Sequence, residues 1–210
     1  MNILVACEES QRVCMAFREK GHRAFSCDMI DCSGGHPEWH IKQDVIPLLN
    51  GNCEFTTCDG TAHRIDGKWD MIIAFPPCTY LSNAGARFLY PKHKLNLQRF
   101  YKGLIGKALF MAIRAADCER IIIENPIPSK IFELPPYDQV IQPYEYGHPY
   151  TKRTCLWLKN VPLLKPTDIV EIECSTKQPG NWFNKGSKKR QANRAKTFKG
   201  IAKAMAEQWG

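Results

Sequence analysis

The chain opens on an apolar run of strand type, NILVA at residues 2–6. Residues 9–20 follow with Val13, Met15, Ala16 and Phe17 spaced for an amphipathic helix that stops at Gly21. Residues 23–27 read as a second strand ending at Asp28. Strand, helix and strand within about 30 residues form the opening unit of a doubly wound parallel sheet. A third strand is expected near 41–45, after a loop containing Gly34, Gly35 and Pro37. Residues 53–65 carry β-type side chains on both sides of Asp59-Gly60, which predicts a small β-hairpin inserted at the surface. DMIIAF at 70–75 is a continuous apolar run ending in turn residues, the pattern of a strand covered on both faces. The longest helical stretch spans 96–117, and RIIIE at 120–124 repeats the buried-strand pattern. Residues 152–158 read as another strand, followed by a Pro-rich and then basic stretch and a last helix over 199–209. The expected fold class is α/β, doubly wound and Rossmann-like. The division expected along the chain is a core at 1–158, a short basic segment at 159–197 and a closing helix at 198–210.

Composition adds bounds to this pattern. At 210 residues and 44% hydrophobic side chains the chain is long enough for one sizeable core. No apolar run approaches the ~18 residues that cross a bilayer, and Glu8 and Glu9 arrive too early for a signal peptide, so a soluble, cytoplasmic protein is expected. Ten cysteines without an export signal point to reduced thiols, most of them small buried hydrophobes. The net charge of +8 is concentrated: residues 174–206 hold nine Lys and Arg and no acidic residue, leaving 20 basic against 21 acidic residues elsewhere. Such a segment, with Trp182 and Phe183 inside it, suits a polyanionic partner such as nucleic acid; the alternative is a solvated basic tail.

In open α/β sheets the ligand crevice lies beyond the carboxyl ends of the strands. Three expected strand ends carry reactive or polar residues: Cys7-Glu8-Glu9-Ser10, Pro76-Pro77-Cys78 and Glu124-Asn125-Pro126. A thiol and a carboxyl group at two neighbouring strand ends make a candidate nucleophile and acid pair. Taken separately, a cysteine at a strand end is ordinarily packing and Glu-Asn-Pro a capped turn.

Taken in order, PPCTYLS, ENP and YTKRTCLW resemble the Pro-Cys loop, the Glu-Asn acid motif and the Gln-x-Arg-x-Arg motif of DNA cytosine carbon-5 methyltransferases, and more closely a compact, phage-associated set of such proteins. The resemblance implies S-adenosylmethionine as cofactor, DNA as partner and a bacterial or phage-infected host cell. It gives Cys78 the role of the thiolate that adds to carbon 6 of cytosine. Glu124 becomes the acid at ring nitrogen 3, which requires a raised pKa, and Arg153 the group that holds the base. For the cofactor it implies the loop Cys7, Glu8, Glu9 and Ser10 against the methionine part, Asp28 on the ribose hydroxyls, Asp44 at the adenine amino group and Pro77 lining the site.

Two positions depart from the family pattern. Cys-Glu-Glu-Ser-Gln replaces the glycine-rich Phe-x-Gly-x-Gly loop, so that Glu8 or Glu9 is a candidate for the cofactor's ammonium group, and Cys155 stands at the second arginine. The family's target recognition domain is reduced here to 159–197. Readout is therefore expected to be short or relaxed, with Lys188, Lys189 and Arg190 on phosphates, Trp182 stacking on a base, and an accessory partner as a possible source of recognition. Methylation of a free cytosine nucleotide and a catalytically lapsed DNA-binding module remain open readings. Cys27, Cys32, His36 and His40, with Cys53, Cys58 and His63 downstream, lack the paired knuckles of a zinc site, so no metal is expected.

Overall fold

The computed structural model describes residues 1–175 and 195–210. In chain order its elements are β1 (Asn2–Ala6), α1 (Arg12–Glu19), β2 (Arg23–Asp28), β3 (His40–Lys42), β4 (Cys53–Thr56), β5 (Ala62–Ile65), β6 (Met71–Ala74), the single turn α2 (Asn83–Ala86), α3 (Leu97–Arg114), β7 (Arg120–Pro126), β8 (Gln139–Ile141), β9 (Tyr150–Thr151), β10 (Thr154–Lys159), β11 (Cys174–Ser175) and, closing the chain, α4 (Lys199–Trp209). Seven strands form one sheet in the order β3-β2-β1-β6-β7-β10-β8. β1 pairs in parallel with β2 and β6, β6 with β7, and β2 with β3; β10 runs antiparallel to both β7 and β8. This largely parallel sheet with one reversed strand is the doubly wound, Rossmann-like α/β fold expected from the sequence. Strand order reverses between β1 and β6, which places the topological switch point, and with it the ligand crevice, at their carboxyl ends.

Strand alternation explains the three layers. Ile3, Val5, Met71, Ile73, Ile122 and Leu156 face α1 and α4, whereas Leu4, Ala6, Ile72, Ala74, Ile121 and Ile123 face Phe110 and Ile113 of α3. Both faces being covered, the strands need apolar residues at each buried position, as residues 3–6 and Met71–Ala74 have. Gly103 lets α3 approach: a Cβ there would collide with the Phe132 ring.

Several boundaries differ from the sequence reading, each for a local reason. α1 starts at Arg12 rather than 9 because residues 8–11 are held as a loop. β3 stops at Lys42, since Ile46–Leu48 turns as a 3-10 helix. The 53–65 hairpin pairs Cys53 with Ile65, and it is only partly a surface feature, because Phe55 and Ile65 are buried and Phe55 packs edge-on against Phe25. β8, a three-residue edge strand with Pro143 just after it, has too little sequence signal to be read in advance. Residues beyond β10 return to the core through Leu164. α4 buries Ile201, Ala204, Met205 and Trp209, and Trp209 Nε1 donates to the Pro162 carbonyl at 3.0 Å. Among the described residues, no helix is long and apolar enough to cross a membrane.

Candidate active site

β6 and β7 are in register to Ala74 and Ile123, so Phe75-Pro76-Pro77-Cys78 leaves the sheet beside Glu124 and Asn125, which continue β7 against β10, two residues past the strand end read from the sequence. Two successive prolines fix φ and remove ladder donors, which ends β6 abruptly. The chain then turns: the Cys78 carbonyl accepts from the N–H groups of Leu81 and Ser82 at 3.1 and 2.9 Å. Cys78 is half-buried and Pro77 exposed.

Three sets of bonds fix this loop. Asn125 Nδ2 donates to the Pro76 carbonyl at 3.4 Å. Backbone bonds from Asn83 to Ile127 and from Ser129 to Leu81, at 2.8 and 2.7 Å, join the loop to the chain leaving β7. From the first turn of α3, Arg99 Nη2 donates to the Thr79 carbonyl at 2.8 Å while its guanidinium lies over the Tyr80 ring at 4.9 Å. Gly85 makes room for this clamp, since a Cβ there would stand 2.7 Å from the Thr79 oxygen and 2.8 Å from Arg99 Nη2. Neither Asn125 nor Arg99 was singled out from the sequence as holding Cys78. For Asn125 the signal was its place beside Glu124 at a strand end; for Arg99 there was none.

Burial raises the pKa of Glu124 above the ordinary carboxyl range, while the nearby Lys152 charge and a hydrogen bond with Thr154 pull it back down. The register explains the company it keeps. Glu124 lies opposite Leu156 on β10 and Asn125 opposite Cys155, so alternation turns Thr154 toward the acid and Cys155 toward the other face. The cation acting on Glu124 is therefore Lys152. Arg153 is exposed, and its charge acts on the Cys155 thiol, which burial and the Glu124 charge push up to about 11.

The first loop bounds the other half of the crevice. Cys7 and Gln11 both have φ of 58°, the left-handed region that glycine enters freely and that costs other residues roughly 1–2 kcal/mol. Gln11 offsets this through its side chain, which brackets His36: Nε2 donates to the His36 carbonyl at 2.8 Å, and Oε1 accepts from the His36 N–H at 3.1 Å. Gly34 passes so close that a Cβ would lie 2.6 Å from the Gln11 Cβ.

Glu8 is buried and turns onto α1, accepting from the N–H groups of Val13 at 2.7 Å and Cys14 at 3.1 Å, with Ser10 Oγ donating at 3.4 Å. Glu8 and Ser10 are thus committed to the helix N-terminus. Glu9 lies apart from them, its carboxylate 3.9 Å from Lys196. Asp28, at the end of β2, has its pKa raised by burial, against hydrogen bonds from the backbone of Ile30 and Met29, with the Glu9 charge adding to the rise. Asp44 is exposed and accepts from the Ile46 N–H at 3.0 Å. Burial, then the Asp28 charge, then the Asp44 charge, raise Cys7 to about 12.

Burial also lifts Glu8 to about 7 despite its three hydrogen bonds. The folded state holds this proton more tightly than the unfolded chain does. Its contribution to stability is therefore complete below the ordinary carboxyl value and is lost as pH rises through about 7, a difference of about 3 kcal/mol. Glu8→Gln should remove that dependence. Melting temperature measured from pH 4 to pH 8 should fall more steeply for the wild type than for the variant, and parallel curves would count against this account.

Lys188, Lys189, Arg190 and Trp182 lie outside the described residues. No group of three or more His, Cys, Asp or Glu among the described residues converges as a metal site. His40 bonds through both ring nitrogens, to Ser26 Oγ at 2.9 Å and the Ile30 carbonyl at 2.8 Å, and the Cys27 thiol donates to the Gln43 carbonyl.

No family profile matches the chain, and no curated protein does. Among solved structures it is similar to a protein described as a DNA modification methyltransferase encoded within an E. coli prophage. That match has 14% identity and a TM-score of 0.44, and covers 81% of this chain and 52% of the other. It is similar also to a Spodoptera frugiperda DNMT2 variant, at 13% identity and a TM-score of 0.40, covering 81% and 54%. The chain spans about half the length of either structure.

Proposed function

We propose that this protein transfers a methyl group from S-adenosylmethionine to carbon 5 of cytosine in DNA, through a covalent adduct with Cys78. The observation that carries the reading is the pairing at the carboxyl end of the sheet of an anchored thiol loop and a half-buried carboxyl group whose pKa is raised.

Two features of the crevice favour this cofactor over a dinucleotide. A pyrophosphate would need the free N–H groups at the start of α1, and the Glu8 carboxylate already takes two of them. Glu9, Asp28 and Asp44 make the rest of the cleft acidic, which suits a ligand bearing ammonium and sulfonium charges and ribose hydroxyl donors. Asp28 would accept from the hydroxyls, Asp44 from the adenine amino group, and Glu9 would face the ammonium group, with Cys7 and Pro77 lining the pocket. When bound, the sulfonium supplies the methyl group as an electrophile. Asp28→Ala should weaken S-adenosylmethionine binding by about tenfold or more, the scale of one charged hydrogen bond. Calorimetry showing unchanged affinity would remove Asp28 from the site.

For the base, Cys78 Sγ adds to carbon 6 as Glu124 donates its proton to ring nitrogen 3, and the electron pair released toward carbon 5 takes the methyl group. Loss of the carbon-5 proton to a base, return of the nitrogen-3 proton to Glu124 and departure of the Cys78 thiolate then restore the aromatic ring. Lys152, beside Glu124, balances negative charge near the base, and Arg153 reaches the substrate from the exposed side. Lys188, Lys189 and Arg190 would meet phosphates and Trp182 a displaced base, giving short or relaxed sequence recognition.

The test is incubation of the purified protein with methyl-labelled S-adenosylmethionine and duplex DNA, single-stranded DNA or dCMP. Label at carbon 5 of DNA cytosine is expected. Label confined to dCMP assigns the enzyme to nucleotides instead, and no label despite binding of cofactor and DNA assigns it to the lapsed DNA-binding class.

A further inference from the structure

α3 is apolar on two opposite faces, and only one of them is covered. The inner face packs Gly103, Phe110 and Ile113 into the molecule. The outer face carries Leu97, Tyr101, Leu104, Ile105 and Met111, which are 72, 65, 43, 55 and 39% exposed and fall at i, i+4, i+7, i+8 and i+14. That spacing makes one continuous stripe along the helix. Soluble chains scatter exposed apolar residues singly; a stripe in helical register is the mark of a docking face.

Charge narrows the occupant. The whole stretch 71–116 contains seven Lys and Arg and no Asp or Glu. On α3, Lys102 borders the stripe on one side, and Lys107 and Arg114 on the other. A second copy of this chain would bring the same cations against these. A nucleic acid would satisfy the cations and leave Leu97, Leu104 and Ile105 against phosphate or base edges with no gain from burial.

We infer that the outer face of α3 docks an amphipathic helix of a partner protein, one whose apolar stripe repeats at helical spacing and whose flanks are Asp and Glu. The apolar contact supplies affinity, and the cations on both borders fix polarity and exclude basic helices. The site lies outside the crevice and stands independently of the methylation chemistry.

The probe is a labelled, helix-forming peptide with Leu at the contact positions of its heptads and Glu at the flanking ones, read by fluorescence anisotropy against the full chain. A control peptide carries Lys in place of every Glu. The acidic peptide should bind at least about tenfold more tightly than the basic one. Ile105→Asp, an exposed change that leaves the inner face intact, should cost about tenfold in acidic-peptide affinity. Lys102→Glu should narrow the gap between the two peptides, and circular dichroism checks that both variants fold. Equal or absent binding of the two peptides overturns the proposal. So does finding that Ile105→Asp instead weakens binding to duplex DNA or to anionic vesicles, or dissolves a dimer seen by sedimentation.

Discussion

Cys78→Ser should abolish the covalent complex that the wild-type protein forms with duplex DNA containing 5-fluorocytosine in the presence of S-adenosylmethionine. The reasoning follows the proposed bonds. Once Cys78 has added to carbon 6 and carbon 5 has taken the methyl group, release of the enzyme requires loss of the substituent on carbon 5. Fluorine cannot leave as a cation, so the adduct persists through denaturing electrophoresis. A hydroxyl in place of the thiol is a far weaker nucleophile near neutral pH, and the adduct should disappear while DNA and cofactor binding persist. An adduct formed equally by the serine variant would place the nucleophile elsewhere. No adduct with the wild type, although it binds both ligands, would sink the covalent mechanism itself.

Glu124→Gln should lower kcat by about 10²–10⁴-fold, the usual span for loss of a positioned acid, with DNA affinity unchanged. The pH dependence is the sharper test. Burial raises the Glu124 pKa, so the protonated acid persists above the ordinary carboxyl range and activity that needs it declines as pH rises through the raised value. That alkaline limb should vanish in the glutamine variant. Lys152 pulls the same pKa down, so Lys152→Met should move the limb to higher pH, whereas Arg153→Met should leave it in place. An alkaline limb that stays in Glu124→Gln would show that another group titrates there.

The sheet was legible because its strands are covered on both faces and therefore written as unbroken apolar runs; NILVA, DMIIAF and RIIIE needed no partner to be recognised. β8 was not, because a three-residue edge strand takes its stability from pairing Val140 with Cys155 and Ile141 with Thr154 on β10, contacts that its own letters do not announce. The placement of Cys78 just past β6 and of Glu124 toward the carboxyl end of β7 followed from the same runs. The charge partner of the acid did not. Lys152 and Arg153 are adjacent in sequence, and only the register of Glu124 against Leu156 tells which side of β10 meets the acid. Likewise, Glu8 reads as a free carboxylate in sequence, yet it is bound to the N–H groups of Val13 and Cys14, because the loop turns back through a left-handed Gln11.

Cys7 and Gln11 give that loop, in torsion angles, a shape that glycines would enter freely. With those two hinges in place, Glu8 is turned onto the N–H groups of Val13 and Cys14 and Ser10 onto Glu8, so a carboxylate occupies the helix start that a bare backbone would leave open to an anion.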